Sequence, residues 1–287
     1  MTEINIDELP RYSQWPHRLL GLTEWSVKPK SSTEVLREFD REKWGGLLET
    51  VKSSKDRLSF KQVEEAVYNQ QPDIICVKGN KLVLQPAYRG FEEQYKIISD
   101  TLAEYLPATA LCELGAGYGQ VILRLAQEKR FANMQVVAAE YTSSGVQLID
   151  YLAQAENLNV VTGHCDLNKP GITDVVIPEG GIIFTSYAAS YITNGTLKFV
   201  DDITSFKPAM VVHFEPLYEH YDTTSLLGCM QRKYIEQNDY NRNLLSVLKE
   251  AESKGLIRIV KELPNIFGTN PFLPMSVVAW HPVVRNN

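Results

Sequence analysis

The sequence predicts an α/β fold, an open and mostly parallel seven-stranded sheet with a terminal antiparallel hairpin, preceded by an N-terminal helical segment. Two patterns carry this reading. After residue 88, short apolar runs alternate with helix-like stretches, which is the spacing of parallel strands joined by crossover helices; the last two apolar runs lack a helix-length spacer. A chain of 287 residues, 44% hydrophobic and 22% charged, is also long enough to bury such a sheet on both faces.

Taken in order, residues 1–86 are polar and aromatic-rich and read as a helical extension or lid, with helices expected at 31–52 and 60–69. Ser32 or Thr33 is placed to cap the first of these. Runs 74–78 and 81–84 flank Gly79-Asn80 and predict a small hairpin. Residues 87–287 form the main domain, with strands expected at 109–113, 136–140, 158–162, 181–186, 209–214, 256–262 and 275–280, and a helical insert at about 217–254. Between the last two strands the sequence is rich in Pro, Asn and Gly, which favours a hairpin.

Charge and cysteine usage exclude several classes. A net charge of −6 gives no general attraction to nucleic acid or anionic lipid, so nucleic acid is a poor partner and a small molecule a better one. Cys76, Cys112, Cys165 and Cys229 lie far apart without a C-x-x-C pair or a dense His/Cys cluster, arguing against a disulfide framework and a structural zinc site. No metal is expected, and reduced thiols suit a cytoplasmic setting. The N-terminus lacks a charged-then-apolar signal pattern, and no run of about 18 apolar residues suggests a membrane span. A homodimer is compatible with this composition.

The most informative stretch is Glu113-Leu114-Gly115-Ala116-Gly117-Tyr118-Gly119-Gln120, where an apolar strand enters three alternate glycines and then an amphipathic helix. Glycines there permit a tight turn and close approach of a ligand. A dinucleotide fingerprint needs glycine at 120, where Gln120 stands, and the Glu113 carboxylate would repel a pyrophosphate. A ligand with an ammonium group and no phosphate, such as S-adenosylmethionine, suits the turn better.

On Glu113, Gly115, Gly117 and Gly119 the chain resembles the class I, Rossmann-like S-adenosylmethionine-dependent methyltransferases, in order through residues 88–280. The resemblance implies S-adenosylmethionine as methyl donor and S-adenosylhomocysteine as product. It places Glu140, closing the second strand, on the ribose hydroxyls with Tyr141 beside it, and Asp166 on the adenine amino group. Ser186 and Tyr187 fall beside the methionine portion and the transferred methyl, and Arg89 falls where a side chain reaches the methionine carboxylate. Thr185-Ser186-Tyr187-Ala188 stands where exocyclic-amine methylating enzymes carry an Asn-Pro-Pro-Tyr-like motif.

For the acceptor, the expectation is a small polar molecule methylated at an amine or guanidine nitrogen. Glu215, at the end of the fifth strand, is expected to face the pocket and steer a cation, with Tyr187 and His220 as further catalytic candidates. Substrate contacts are expected from Tyr191, Tyr218, Tyr234, Asn238 and Asn241, the last three sharing one face of a continuous insert helix. His213 reads as a core residue. Using His220 or His164 as base on a hydroxyl would give O-methylation instead. The same pattern also fits a protein or peptide arginine or lysine methyltransferase, or a partner-binding subunit without chemistry. Tyr12, Trp15, Trp25 and Trp44 are expected to order over the pocket, and residues 265–271 to close on it.

Overall fold

In a computed structural model, residues 1–26, 30–192 and 195–283 are described. The N-terminal part runs β1 (Thr2–Ile4), α1 (Trp15–Leu19), α2 (Ser32–Val35), a π-helical segment Leu36–Lys43, α3 (Trp44–Ser53) and α4 (Phe60–Asn69). The strands β2 (Asp73–Lys78) and β3 (Lys81–Pro86) form the expected hairpin. A third strand that the sequence did not announce, β1, pairs antiparallel with β3.

The main sheet follows: α5 (Ala87–Ala103), β4 (Ala110–Leu114), α6 (Gln120–Gln127), β5 (Gln135–Glu140), α7 (Ser143–Ala155), β6 (Val160–His164), β7 (Ile182–Ser186), α8 (Leu197–Ser205) and β8 (Met210–Glu215). Then come α9 (Leu226–Gln237), α10 (Leu244–Ser253), β9 (Ile257–Phe267) and β10 (Met275–Pro282). Strand order is β6-β5-β4-β7-β8-β10-β9, parallel except for β10, which runs antiparallel to both neighbours. The order reverses between β4 and β7, and ligands in open α/β sheets bind outside the strand carboxyl ends at such a point.

Alternation along the strands explains why both faces are covered. In β4, Leu111 packs with Ile98, Leu102, Ile122 and Leu148 from α5, α6 and α7. Its neighbours Ala110, Cys112 and Leu114 join Phe199, Val200, Leu244 and Leu248 from α8 and α10 on the opposite face. His213 lies within this core at 0% exposure, its Nδ1 3.0 Å from Thr185 Oγ1, and burial lowers its pKa to about 3.

Two local expectations are corrected. The insert is not one helix: Asp239 takes a left-handed φ of 53°, and the chain breaks between α9 and α10. Tyr234, Asn238 and Asn241 therefore share no helix face. At 31–52 the helix is interrupted by π geometry, with the Trp44 N–H donating to Phe39 O five residues back; Ser31, not Ser32 or Thr33, supplies its cap. Gly45 permits this, because a Cβ there would overlap the Asp40 carbonyl oxygen.

Candidate active site

A cavity of about 400 Å³ opens at the carboxyl ends of β4, β5, β6 and β7, beneath the π-helical segment and α3. Its floor is the glycine turn. Gly115 has φ 79°, and a Cβ there would overlap the Cβ of Ala188, so the turn and the loop after β7 meet with only hydrogen between them. The turn is stitched to β5: Gly115 and Ala116 N–H both donate to Ala139 O, at 2.7 and 3.0 Å.

Carboxylates hold the turn from below. Glu113, 2% exposed, accepts at 3.1 Å from the Ile122 N–H in the first turn of α6, where a negative charge opposes the positive end of the helix dipole. Burial, with the charges of Glu140 and Glu215, pushes its carboxyl well above the usual range. Glu140 accepts from the Gly117 N–H at 2.9 Å and from the Thr142 N–H and hydroxyl at 3.0 and 2.8 Å; burial raises its pKa too. Asp166 accepts from Asn168 N–H at 3.1 Å and pairs with Lys169 at 3.1 Å.

The structure brings Glu113, Gly115, Gly117, Glu140, Tyr141, Asp166, Ser186, Tyr187 and Tyr191 to the cavity wall. Gly119 sits below it, its α-carbon facing Leu123 and Ile149. Tyr187 has a φ of 55°, an uncommon backbone state for a bulky residue, and its hydroxyl donates to Leu273 O at 3.1 Å. Burial and the nearby Glu215 charge push the Tyr187 phenol up, so it stays protonated.

Several sequence-derived candidates lie elsewhere. Arg89 is exposed on α5, and its Nε donates to Tyr88 OH instead of reaching the cavity. Glu215 does not line the cavity: Oε1 accepts from Ala188 and Ala189 N–H, both at 2.9 Å, and Oε2 from the Ser190 hydroxyl at 2.9 Å and N–H at 3.3 Å. It fastens the loop after β7. His220 is held between Ser276 Oγ at 2.8 Å and Glu262 at 3.0 Å, and His164 is exposed at the end of β6.

Tyr218 donates to Glu236, and Tyr234 is packed against Trp15 and Phe272 in the core between α9 and the small sheet. Asn238 donates to Tyr234 O; Asn241 is buried, its amide joining Ile192 O to Leu244 N. Of the four N-terminal aromatics, Trp44 lies at the cavity, while Trp15 and Trp25 pack on each other and Tyr12 is exposed.

Other cavity residues carry no signal in the sequence: Lys30, Phe39 and Lys43 above, Phe91 and Gln94 from α5. Thr269 and Asn270 come from the expected segment 265–271. The Trp44 ring lies 3.2 Å from where a Gly117 Cβ would stand, and Asp40 accepts from Ser144 N–H at 2.8 Å, tying the π segment to the start of α7. Only the aromatic density of residues 1–50 hints at this roof.

No family model and no curated protein matches the chain. Solved structures do. Magnesium protoporphyrin IX methyltransferase from Synechocystis PCC 6803, solved with bound SAH, is similar over 88% of this chain and 100% of its own, at 10% identity and TM-score 0.52. Geranyl diphosphate methyltransferase, in complex with GPP and sinefungin, is similar over 69% of this chain and 80% of its own, at 12% identity and TM-score 0.50. The chain has the fold of the class I S-adenosylmethionine-dependent methyltransferases. Among the described residues no group of three or more His, Cys, Asp or Glu side chains is placed to hold a metal, and no helix is long and apolar enough to cross a membrane.

Proposed function

We propose that this chain is an S-adenosylmethionine-dependent methyltransferase acting on a small polar molecule. The observation that carries the reading is the cavity at the switch point of the sheet, floored by a glycine turn whose N–H groups and carboxylates are already arranged. The residues present fit the cofactor: Glu140 and Tyr141 at the ribose, Asp166 with Asn168 at the adenine, and Ser186 beside the methionine portion. When bound, the cofactor supplies a sulfonium methyl, whose carbon bonds to the acceptor lone pair as its bond to sulfur breaks.

The protein's own part is to position the acceptor and exclude water. Phe39, Trp44 and Tyr191 form an apolar roof, while Gln94, Tyr187, Thr269 and Asn270 offer neutral hydrogen-bonding groups. Neither His220 nor His164 lines the cavity, which favours an acceptor that is nucleophilic without help, such as a neutral amine nitrogen. Glu215 lends no support to a cationic substrate, because it lies outside the cavity wall and fastens the backbone of residues 188–190. Residues 1–86 we assign as the lid of the main domain, in a reduced, cytoplasmic setting that suits four free cysteines.

The test is incubation of the protein with S-adenosylmethionine and an unfractionated metabolite pool, followed by mass spectrometry. Products gaining one methyl mass, absent without enzyme, are the expected result. Retention of a nicotinamide dinucleotide with no methylated product would refute the reading.

A further inference from the structure

The two ends of the cavity carry different ionisable groups. Its carboxylates Glu113, Glu140 and Asp166 all lie at the glycine-turn end. The opposite wall carries Lys30 and Lys43 and, among the described residues, no carboxylate. Lys30 is held firmly: its side chain is 11% exposed, its ammonium lies over the Tyr191 and Tyr240 rings at 5.6 and 5.4 Å, and its backbone N–H donates to Asp239 Oδ2 at 3.1 Å.

The nearby carboxylates do not balance the cations. Glu38 takes both lysines, Oε2 at 2.7 Å from Lys30 and Oε1 at 2.9 Å from Lys43, while Asp239 lies 3.7 Å from Arg242. Lys30 and Lys43 therefore share one carboxylate. A largely buried ammonium with a shared counter-ion is costly unless a further anion completes its pairing.

We propose that Lys30, with Lys43 at the rim, forms an anion subsite that holds a carboxylate or phosphate group of the methyl acceptor. Glu38 competes with that group for both lysines. The inference rests on the methyltransferase reading, and it reverses the charge expected of the substrate from Glu215. It also gives the π-helical segment a purpose: the segment carries Phe39 over Tyr191 at 5.3 Å and sets Glu38 and Lys43 around Lys30.

The test uses four probes of one shape, benzoate, phenyl phosphate, benzamide and benzylammonium, titrated by calorimetry into protein saturated with S-adenosylhomocysteine. One or both anions should bind at least about 10-fold more tightly than benzamide, and benzylammonium should not bind. Lys30→Met should remove the anion preference, whereas Glu38→Gln should tighten anion binding several-fold; a merely unfolded variant cannot produce that opposite change. S-adenosylhomocysteine affinity should stay within about twofold in Lys30→Met.

Preference for benzamide or benzylammonium, or anion affinity indifferent to Lys30→Met, would overturn the subsite. A large loss of S-adenosylhomocysteine affinity in Lys30→Met would assign the lysine to the cofactor carboxylate and also overturn it. Failure of wild-type protein to bind S-adenosylhomocysteine at all would instead refute the methyltransferase reading, and the acceptor assignment with it.

Discussion

Glu215 accepts a hydrogen bond at 2.9 Å from the backbone N–H of Ala188, the residue whose methyl group closes against Gly115. A buried carboxylate on one strand thereby sets the distance between the glycine turn and the loop bearing Tyr187 and Tyr191. Glu215→Gln puts an amide donor where donors already converge. The expected outcome is a stability loss of about 1–3 kcal/mol, seen as a melting temperature lower by several degrees, with the charge preference of the substrate site unchanged. A variant of unchanged stability that loses affinity for cations while keeping that for neutral and anionic probes would restore the steering role.

Gly115→Ala needs both a left-handed backbone, φ 79°, and space that Ala188 occupies. S-adenosylhomocysteine affinity should fall by at least about 10-fold in calorimetry, because the whole turn must shift. Unchanged affinity would remove the turn from the binding site.

At the roof, Trp44 packs over Gly117 and tilts against Tyr118 with ring centroids 5.3 Å apart. Trp44→Ala should weaken S-adenosylhomocysteine binding and slow turnover while the main sheet stays folded by circular dichroism. Full activity in that variant would make the segment a structural contact only.

Stability should depend on pH with a definite sign. Burial raises the pKa of Glu113, Glu140 and Glu215 above the ordinary value of 4.5. Between that value and the raised ones, the folded state binds more protons than the unfolded state, so stability falls as pH rises through this window. The stability that these three groups contribute should therefore be lost as pH rises above the ordinary carboxyl range, against the opposite contribution of buried His213, whose pKa is lowered to about 3. Melting temperature of Glu113→Gln should rise relative to wild type as pH rises; an identical pH dependence in wild type and variant would contradict the assignment.

The sheet and the glycine-turn half of the cavity are legible in the sequence because local patterns specify them. Alternation in β4, the spaced glycines and the acids closing β4 and β5 are each written within a few residues. The opposite half is not legible. It is assembled from Lys30, Phe39, Gln94 and Asn270, far apart in sequence, and Lys30 is positioned partly by Asp239, 209 residues away. The place of Glu215 at a strand end suits a cavity and the N–H groups of a neighbouring loop equally well, and only the folded chain chooses between them. Helical spacing likewise gives no sign of the break at Asp239, a left-handed residue outside the helical pattern.

Binding of S-adenosylmethionine and its demethylated product in the glycine-turn cavity, through Glu140, underlies every functional assignment above. Calorimetry with S-adenosylhomocysteine and NAD, on wild-type protein and Glu140→Ala, decides it. The expected result is binding of S-adenosylhomocysteine alone, weakened by about 1–3 kcal/mol in the variant. Binding of NAD with no heat from S-adenosylhomocysteine, or equal affinity in both proteins, would contradict it.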